Sequence, residues 1–332
     1  MKIAFAGTPH FGALVLGALL RSRHEVALVI TQPDRPAGRG RALRESPVKK
    51  LALREGLRIA QPDKISTPDF VDEMKAAGIK VLTVAAFGQI LKPPLLGGMP
   101  CINVHGSLLP KYRGAAPIER AIMAGERVTG VTIMDITPKV DTGAIYLQRV
   151  IPIGDGDDAG SMYEKLGRAG GEALAEVLDA MEGGGMEPEP QDENAATYVE
   201  KITPADTEIV WERPAWKISA QIRALSPHIG AYTNAGGHRL KLWKARVAEP
   251  AAVQAEGALT QVGAVEEADA STSAIWEQSP GTIIVTGGRL FVICGTGILE
   301  LMEVQPEGKK HLSEEEFLRG YTRLLAGGRL TR

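Results

Sequence analysis

The feature that most constrains the fold of this chain is the alternation of short apolar runs with helical stretches over its first half. The runs "KIAFAGT", "EVALVITQ", "VLTVAAF" and "CINVH" have the length and composition of buried strands. Helical spacing in "FGALVLGALLRS" and "DFVDEMKAAG" separates them. Strands that alternate with helices predict a parallel sheet covered on both faces. The closely spaced runs "GVTIMDIT" and "GAIYLQRVIPI" predict a hairpin at the edge of that sheet.

The second half has a different pattern, and the length of 332 residues favours two domains. The stretch "SMYEKLGRAGGEALAEVLDAMEGG" predicts a long amphipathic helix that ends at Gly183. The following "GMEPEPQDENAATY" is rich in proline and acidic residues, which is typical of a linker. After Lys201, short strands with glycine turns predict a small antiparallel barrel, and "SEEEFLRGYTRLLAGG" predicts a closing helix. The Ala-rich, acidic residues 249–279 are interpreted as a surface insertion.

Composition narrows the class of protein. The two cysteines, Cys101 and Cys294, are far apart in sequence, which argues against a disulfide framework and predicts a reducing, cytoplasmic setting. The N-terminus lacks the apolar length of a signal peptide, and no run reaches the roughly 18 apolar residues of a membrane span. The net charge of −2 neither favours nor excludes nucleic acid, because the local distribution of charge decides that.

The first turn, "GTPHFGAL", does not fit the common nucleotide-binding patterns. The dinucleotide fingerprint needs G-x-G-x-x-G, whereas Gly7 and Gly12 are five residues apart. The phosphate loop needs Lys and then Ser or Thr after its last glycine, and here Ala13 and Leu14 follow. A tight turn between strand and helix is the favoured interpretation.

A basic segment follows the second predicted strand. Residues 34–50 contain six Lys or Arg and two acidic residues. The loop after this strand of an open α/β sheet lies near the carboxyl edge, where ligands bind. Contact with nucleic acid is therefore one hypothesis, and a solvated charged loop is the other.

The stretch "NVHGSLLPKYRGAAPI" contains the strongest candidates for catalytic side chains. Asn103 and His105 are two residues apart on one strand, so they share a face at its carboxyl end. Histidine is the usual acid or base near neutral pH, and an asparagine amide stabilises a developing oxyanion. Asp141, in "PKVDTGAI", supplies a carboxylate that would orient the imidazole. The residues alone leave two explanations open: a reactive site, or polar side chains satisfied by their neighbours.

With these residues in view, the sequence resembles the methionyl-tRNA formyltransferase family. The motifs "FAGTP", "TQPDRPAGRGR", "INVHGSLLPKYRGAAPI", "GVTIM", "DTG" and "VQPEGKK" occur in the family's order, and the resemblance extends from Lys2 to about Gly328. It implies an α/β Rossmann-like formyltransferase domain with a parallel-rich sheet at 1–188 and a linker at 189–206. A C-terminal antiparallel β-barrel similar to the OB-fold, which binds tRNA, is implied at 207–330.

The resemblance also implies residue roles. Asn103, His105 and Asp141 match the catalytic trio. The implied folate contacts are Phe87, Gly88, Gln89, Ile90, Leu91, Ser107, Leu108, Leu109 and Pro110. The implied tRNA contacts are Arg35, Arg39, Arg41, Lys49, Lys309 and Lys310. The sequence departs from the family pattern at Phe87, where Tyr is common, and at "TPKV" before Asp141.

The implied reaction moves a formyl group from 10-formyltetrahydrofolate to the α-amine of methionine on initiator tRNA, for translation initiation. It is expected to need no metal, and the enzyme is expected to act as a monomer away from membranes. Two alternatives carry the same trio, a sugar-nucleotide N-formyltransferase and a formyltetrahydrofolate hydrolase, and the Arg-rich segment counts against both. A non-catalytic tRNA-binding protein is a third, against which the intact trio counts.

Overall fold

A computed structural model describes residues 1–37, 42–249, 260–261 and 278–332 of the chain. Arg39, Arg41 and most of the predicted insertion at 249–279 lie outside the described residues. The chain divides into two compact units. The first consists of Met1–Ile118, Arg127–Gly154 and Ser161–Lys201, and the second of Glu119–Glu126, Asp155–Gly160 and Ile202–Arg332.

The first unit is built on a seven-stranded sheet. The strands of the unit, in chain order, are β1 (Lys2–Gly7), β2 (Glu25–Ile30), β3 (Arg35–Ala37), β4 (Ala42–Arg44), β5 (Ile59–Ala60), β6 (Val81–Ala85), β7 (Cys101–His105), β8 (Arg113–Gly114), β9 (Val128–Asp135), β10 (Ile145–Pro152) and β11 (Tyr198–Val199). Two short pairs, β3 with β4 and β8 with β11, lie outside the main sheet. The main sheet has the order β10-β9-β7-β6-β1-β2-β5. Strands β5, β2, β1, β6 and β7 are parallel, whereas β9 and β10 are antiparallel and β10 forms the edge. The predicted parallel-rich sheet and edge hairpin are confirmed.

The described residues contain eight α-helices. They are α1 (His10–Leu19), α2 (Pro47–Arg54), α3 (Pro68–Ala76), α4 (Pro93–Leu96), α5 (Pro117–Ala124), α6 (Ala159–Glu182), α7 (Ala215–Leu225) and α8 (Glu314–Tyr321). Local sequence explains where they begin: Ser46 and Thr67 accept hydrogen bonds from the first turns of α2 and α3, each followed by a proline at the first helical position. Helix α6 ends before Gly183, as predicted.

The core of the first unit lies between the sheet and its helices. Strand β6 is buried along its whole length, which explains why it reads as a continuous apolar run. One apolar cluster includes Leu28 and Ile30 of β2, Leu82 of β6 and Met74 of α3. This packing fixes β6 and β7 side by side, with Val84 paired to Asn103, so the carboxyl end of β7 is held in a rigid frame.

The second unit contains an antiparallel sheet. Its strands are β12 (Ala231–Ala235), β13 (His238–Ala248), β14 (Thr260–Gln261), β15 (Ile283–Thr286), β16 (Arg289–Ile293), β17 (Ile298–Pro306) and β18 (Leu312–Ser313). Their order is β12-β13-β17-β16-β15-β14, and β18 also pairs with β17. The predicted antiparallel domain is confirmed, and so is its closing helix α8, which begins at a capping box between Ser313 and Glu316. Closure into a barrel similar to the OB-fold stays a prediction.

The segment that the sequence places in a linker, 189–206, is structured in its first part. Residues 189–201 belong to the first unit, where Glu189 bridges to Ile145 and β11 pairs with β8. The domain limits at 188 and 207 stay a prediction. Within the described residues, no helix has both the length and the apolarity needed to cross a membrane. Both cysteines are buried and carry free thiols.

Candidate active site

The two polar residues of β7 lie at the carboxyl end of the parallel part of the sheet. Asn103 is half-buried, and its side-chain amide has no hydrogen-bond partner among the described residues. His105 is buried and makes two polar contacts. The amide atoms of Asn103 are not among the buried unsatisfied polar atoms of the described residues, so they reach solvent and are open to a ligand.

The contacts of His105 fix the orientation of its ring. Its Nε2 lies 2.9 Å from the carbonyl oxygen of Tyr112, and since a carbonyl only accepts, Nε2 carries a proton. Its Nδ1 lies 3.6 Å from Oδ2 of Asp141. The structure therefore brings together the histidine and the carboxylate that the sequence singles out, with Nδ1 facing the carboxylate.

Asp141 occupies an unusual backbone position. Its φ is +53°, in the left-handed region that residues with side chains seldom adopt. Its Oδ2 accepts a 2.8 Å hydrogen bond from the backbone N–H of Gly114. This bond and the ion-pair geometry to His105 hold the same carboxylate oxygen, while Oδ1 has no donor among the described residues.

A buried guanidinium lies behind the loop of residues 136–144, which joins β9 to β10 and carries Asp141; we call this loop the Asp141 loop. Arg113 is fully buried, and it donates to Oε1 of Gln191, to both carboxylate oxygens of Glu193 and to the hydroxyl of Tyr198. The hydrogen bonds to Glu193 are the main reason that the pKa of Arg113 is raised, and those bonds lower the pKa of Glu193. The guanidinium is thus a permanent, satisfied cation and not a proton donor.

The segment "SLLP" after His105 is held by one hydroxyl and one amide. Thr132 Oγ1 donates to the carbonyl of Ser107 at 2.7 Å and accepts from the N–H of Leu109 at 3.1 Å. Gln148 donates to Thr132 Oγ1 at 2.9 Å and to the Leu109 carbonyl at 2.8 Å. Ser107 itself is buried and donates to the carbonyl of Lys111. The segment is therefore anchored on β9 and β10 before any substrate arrives.

The other predicted folate segment, Phe87–Leu91, is divided between core and surface. Phe87 and Leu91 are buried in the apolar cluster of the first unit, whereas Ile90 is 74% exposed. The side chain of Gln89 accepts from the N–H of Ile65 and donates to the carbonyl of Pro62. Gly88 has φ +88°, and no atom lies within 4 Å of the point that a Cβ would occupy there, so the turn presents exposed backbone.

Two protein families match separate parts of the chain. The family described as Formyl transferase matches residues 1–178, and the one described as Formyl transferase, C-terminal domain, matches residues 201–322. A methionyl-tRNA formyltransferase of Methylococcus capsulatus is 40% identical over 332 residues, which is 99% of each chain. The chain belongs to the methionyl-tRNA formyltransferase family. A second member, from Symbiobacterium thermophilum, is 42% identical over 96% of this chain and 92% of its own.

Membership in the methionyl-tRNA formyltransferase family makes the chain an enzyme that formylates the methionyl group on initiator tRNA. The sugar-nucleotide and hydrolase alternatives are not favoured. Among solved structures, HypX from Aquifex aeolicus in complex with tetrahydrofolic acid has a TM-score of 0.61 at 17% identity. The match covers 98% of this chain and 48% of the HypX chain, and it shows a shared fold.

The predicted tRNA contacts of this family member differ in their surroundings. Arg35 is exposed on β3 and pairs directly with Arg44 on β4, so two like charges face one another across the ladder. Lys49 instead has a side chain that is only 17% exposed, and it pairs with Asp34. The hydrogen bond from Lys49 is the main reason that the pKa of Asp34 is lowered. Arg35 and Arg44 therefore offer more free positive charge than Lys49 does.

In the second unit, Lys309 and Lys310 follow β17 and are exposed. Gln305 donates a hydrogen bond to the Lys309 carbonyl at 2.7 Å, and the ammonium of Lys310 lies 3.8 Å from Glu316. Both side chains therefore remain open to solvent.

The sequence did not single out several residues that hold this candidate site, among them Arg113, Thr132, Gln148 and Gln191. Arg113 lies inside the quoted "KYRG" motif, so its position was a usable signal. Gln191 lies in a Pro-rich acidic stretch that is typical of a linker, and nothing local marks it. A cysteine begins β7, but burial raises the pKa of the Cys101 thiol to about 12, which rules it out as a nucleophile near neutral pH.

Proposed function

We propose that the formyl donor is 10-formyltetrahydrofolate and that the transfer to the methionine α-amine takes place at Asn103, His105 and Asp141. The observation that carries the proposal is the 3.6 Å approach of Asp141 Oδ2 to His105 Nδ1, two residues beyond the unpartnered Asn103 amide. A donor, a titratable ring and a carboxylate thus meet at the carboxyl edge of a parallel sheet, where α/β proteins bind their ligands.

Asn103 and His105 are assigned to the oxyanion. Attack of the amine on the formyl carbon places negative charge on the formyl oxygen, and a preorganised donor stabilises that charge without reorganising. The Asn103 amide has no competing partner among the described residues, so it is free to donate. The Tyr112 carbonyl engages Nε2–H of His105, so the proton that we assign to the oxyanion is one on Nδ1, which lies 3.6 Å from Asp141 Oδ2, beyond hydrogen-bond distance, and is not committed to that carboxylate.

Asp141 is assigned to orientation and to proton transfer. Its Oδ2 faces His105 and accepts from Gly114, which leaves Oδ1 to take a proton from the attacking amine, directly or through a water. That proton returns to the folate nitrogen as its bond to the formyl carbon breaks, so the exchange is balanced.

The folate is assigned to the two segments that flank the trio. Ser107–Pro110 supplies a backbone already anchored by Thr132, and the turn at Gly88 and Ile90 supplies exposed backbone and an exposed apolar side chain. HypX, which shares the fold, was solved with tetrahydrofolic acid, and this supports a folate-derived donor.

The tRNA is assigned to the basic positions of both units. The like-charged pair Arg35 and Arg44 lacks an ion-pair partner among the described residues, and a phosphate would relieve the repulsion between the two. Arg39 and Arg41 belong to the same basic segment by sequence. In the second unit Lys309 and Lys310 are the exposed cations that we assign to phosphate contact.

One assay tests the proposal. The protein is incubated with 10-formyltetrahydrofolate labelled in the formyl group, together with charged initiator tRNA and a sugar-nucleotide amine. We expect the label on methionyl-tRNA, and we expect its transfer to be slowed but still measurable in Asp141→Asn while folate binding persists. Label released as formate or found on the sugar would overturn the assignment of substrate, and full transfer by Asp141→Asn would overturn the assignment of residues.

A further inference from the structure

The segment 189–199, which the sequence predicts to be linker, contacts the Asp141 loop directly. We infer that Gln191, anchored by the buried Arg113, is a positioning residue that sets the carboxylate of Asp141 for catalysis. The inference rests on the catalytic role proposed for Asp141.

Gln191 bridges the guanidinium and the loop. Its Nε2 donates to the carbonyl of Asp141 at 3.0 Å and to the carbonyl of Gly143 at 2.7 Å. Its Oε1 accepts two hydrogen bonds from Arg113, at 3.1 and 2.8 Å. Because Arg113 only donates and carbonyls only accept, the amide has one permitted orientation.

Arg113 is itself immobilised. It is fully buried, and Glu193 and Tyr198 take its remaining contacts, at 2.7 to 3.0 Å. Its backbone N–H also donates to the carbonyl of Thr197 at 2.8 Å. Every N–H group of the buried guanidinium therefore has a hydrogen-bond partner. Arg113 is a rigid anchor for Gln191, which in turn contacts the Asp141 loop.

The Asp141 loop needs such a restraint. A residue with a side chain at φ +53° is strained, and strained backbone persists only where the surroundings hold it. Within the described residues, Gln191 is the side chain that bonds the carbonyls on both sides of Thr142. Without it, the Asp141 carbonyl loses the partner that opposes relaxation of this backbone.

The same segment also reaches the carboxylate. Strand β11 pairs with β8, with Val199 beside Gly114, and Gly114 donates to Asp141 Oδ2. Residues 191–199 therefore hold Asp141 twice, at its carbonyl through Gln191 and at its carboxylate through Gly114.

Gln191→Glu is the sharpest test. It keeps the size of the side chain and the contact with Arg113, but it turns carboxylate oxygens toward two carbonyls in place of an N–H donor. We expect kcat to fall about tenfold or more, because small displacements of a catalytic group are costly, while both KM values stay within about twofold. Gln221→Glu is the matched control, since Gln221 also donates to two backbone carbonyls, those of Asp206 and Glu208, in the second unit. It should lower the melting temperature and leave kcat unchanged.

A double-variant cycle separates positioning from general structural damage. If Gln191 acts through Asp141, Gln191→Glu should change the single-turnover rate less than about threefold in an Asp141→Asn background. An equal loss of rate in both backgrounds would overturn the inference, and so would a wild-type kcat for Gln191→Glu. Should that variant fail to fold, Gln191→Met, which removes the donor without adding charge, answers the same question.

Different results would refute the catalytic role of Asp141 and the positioning role of Gln191. Normal turnover by Asp141→Asn alone would remove the catalytic role of Asp141, and with it the basis of this inference. Slowed turnover in Asp141→Asn together with a normal Gln191→Glu would leave that role intact and refute only the positioning role of Gln191.

Discussion

The backbone N–H of Gly114 donates a 2.8 Å hydrogen bond to Oδ2 of Asp141, and position 114 has room for no side chain. Its φ is +119°, and a Cβ there would lie 2.1 Å from the carbonyl oxygen of Val199. The glycine that allows β8 and β11 to approach is thus also the donor to the carboxylate that we assign to catalysis. The conformation of Gly114 therefore couples the pairing of β8 with β11 to the position of the Asp141 carboxylate.

Gly114→Ala adds only one methyl group, but it should lower kcat strongly. The Cβ forces β8 away from Val199 and moves the N–H away from Asp141, so we expect a lower melting temperature and a kcat lower by about 10². Gly184→Ala is the control: φ there is +97°, but nothing lies within 4 Å of the added Cβ, so only about 1–2 kcal/mol of backbone strain is introduced. Equal kcat values for the two variants would show that the Gly114 contact has no role in turnover.

Removal of the unpartnered amide tests the oxyanion assignment. Asn103→Ala should lower kcat by about 10²–10³, or roughly 3–4 kcal/mol of transition-state stabilisation, because the oxyanion exists only after attack. Folate affinity and melting temperature should stay near wild type, as they should in Asn194→Ala, which truncates an exposed asparagine of the same unit. An Asn103→Ala protein that melts early and loses folate in proportion to kcat would indicate a structural role instead.

The sequence predicts the frame of this site well, for physical reasons. Buried parallel strands must be apolar along their whole length, so β1, β2, β6 and β7 stand out in the sequence, and polar residues at the end of β7 are then conspicuous. The same pattern places Asn103 and His105 at the carboxyl edge, where the structure has them.

The sequence pattern does not reveal the residues that hold the catalytic trio in place. Arg113 and Gln191 are 78 residues apart, and their hydrogen bonds depend on a tertiary contact that no periodicity records. Pro and acidic residues around Gln191 resemble a linker because composition reports local preference and not what the backbone binds. The burial of Phe87 and Leu91 likewise depends on packing around the turn at Gly88.

The basic pair on β3 and β4 should make tRNA binding depend steeply on salt. Phosphate contacts release counterions, so affinity should fall markedly between about 50 and 200 mM salt, and Arg35→Ala should reduce the slope by about one. Lys49→Ala is the comparison, because Asp34 already holds that ammonium and the loss of slope should be smaller. Filter binding or fluorescence titration at several salt concentrations measures both. A slope unaffected by Arg35→Ala would remove this residue from the interface.

The ion pair between Arg120 and Asp206 of the second unit should make the stability of the protein depend on acid pH. The guanidinium donates to both carboxylate oxygens, at 2.6 and 2.9 Å, and Thr203 adds two further bonds. These bonds, with Arg120 the largest cause, hold the pKa of Asp206 well below its usual range, although burial opposes them. A carboxyl whose pKa is lower in the folded state stabilises the protein above its unfolded pKa of about 3.9, and that stability is lost as the pH falls. We therefore expect Asp206→Asn to lower the free energy of unfolding by about 2 kcal/mol at pH 7 and to flatten its decline below about pH 5.

Glu307→Gln, which neutralises an exposed carboxylate of the same unit, should leave both the free energy of unfolding at pH 7 and its decline unchanged. Urea unfolding of the three proteins between pH 7 and pH 3 measures the difference, and parallel curves for Asp206→Asn and wild type would refute the linkage.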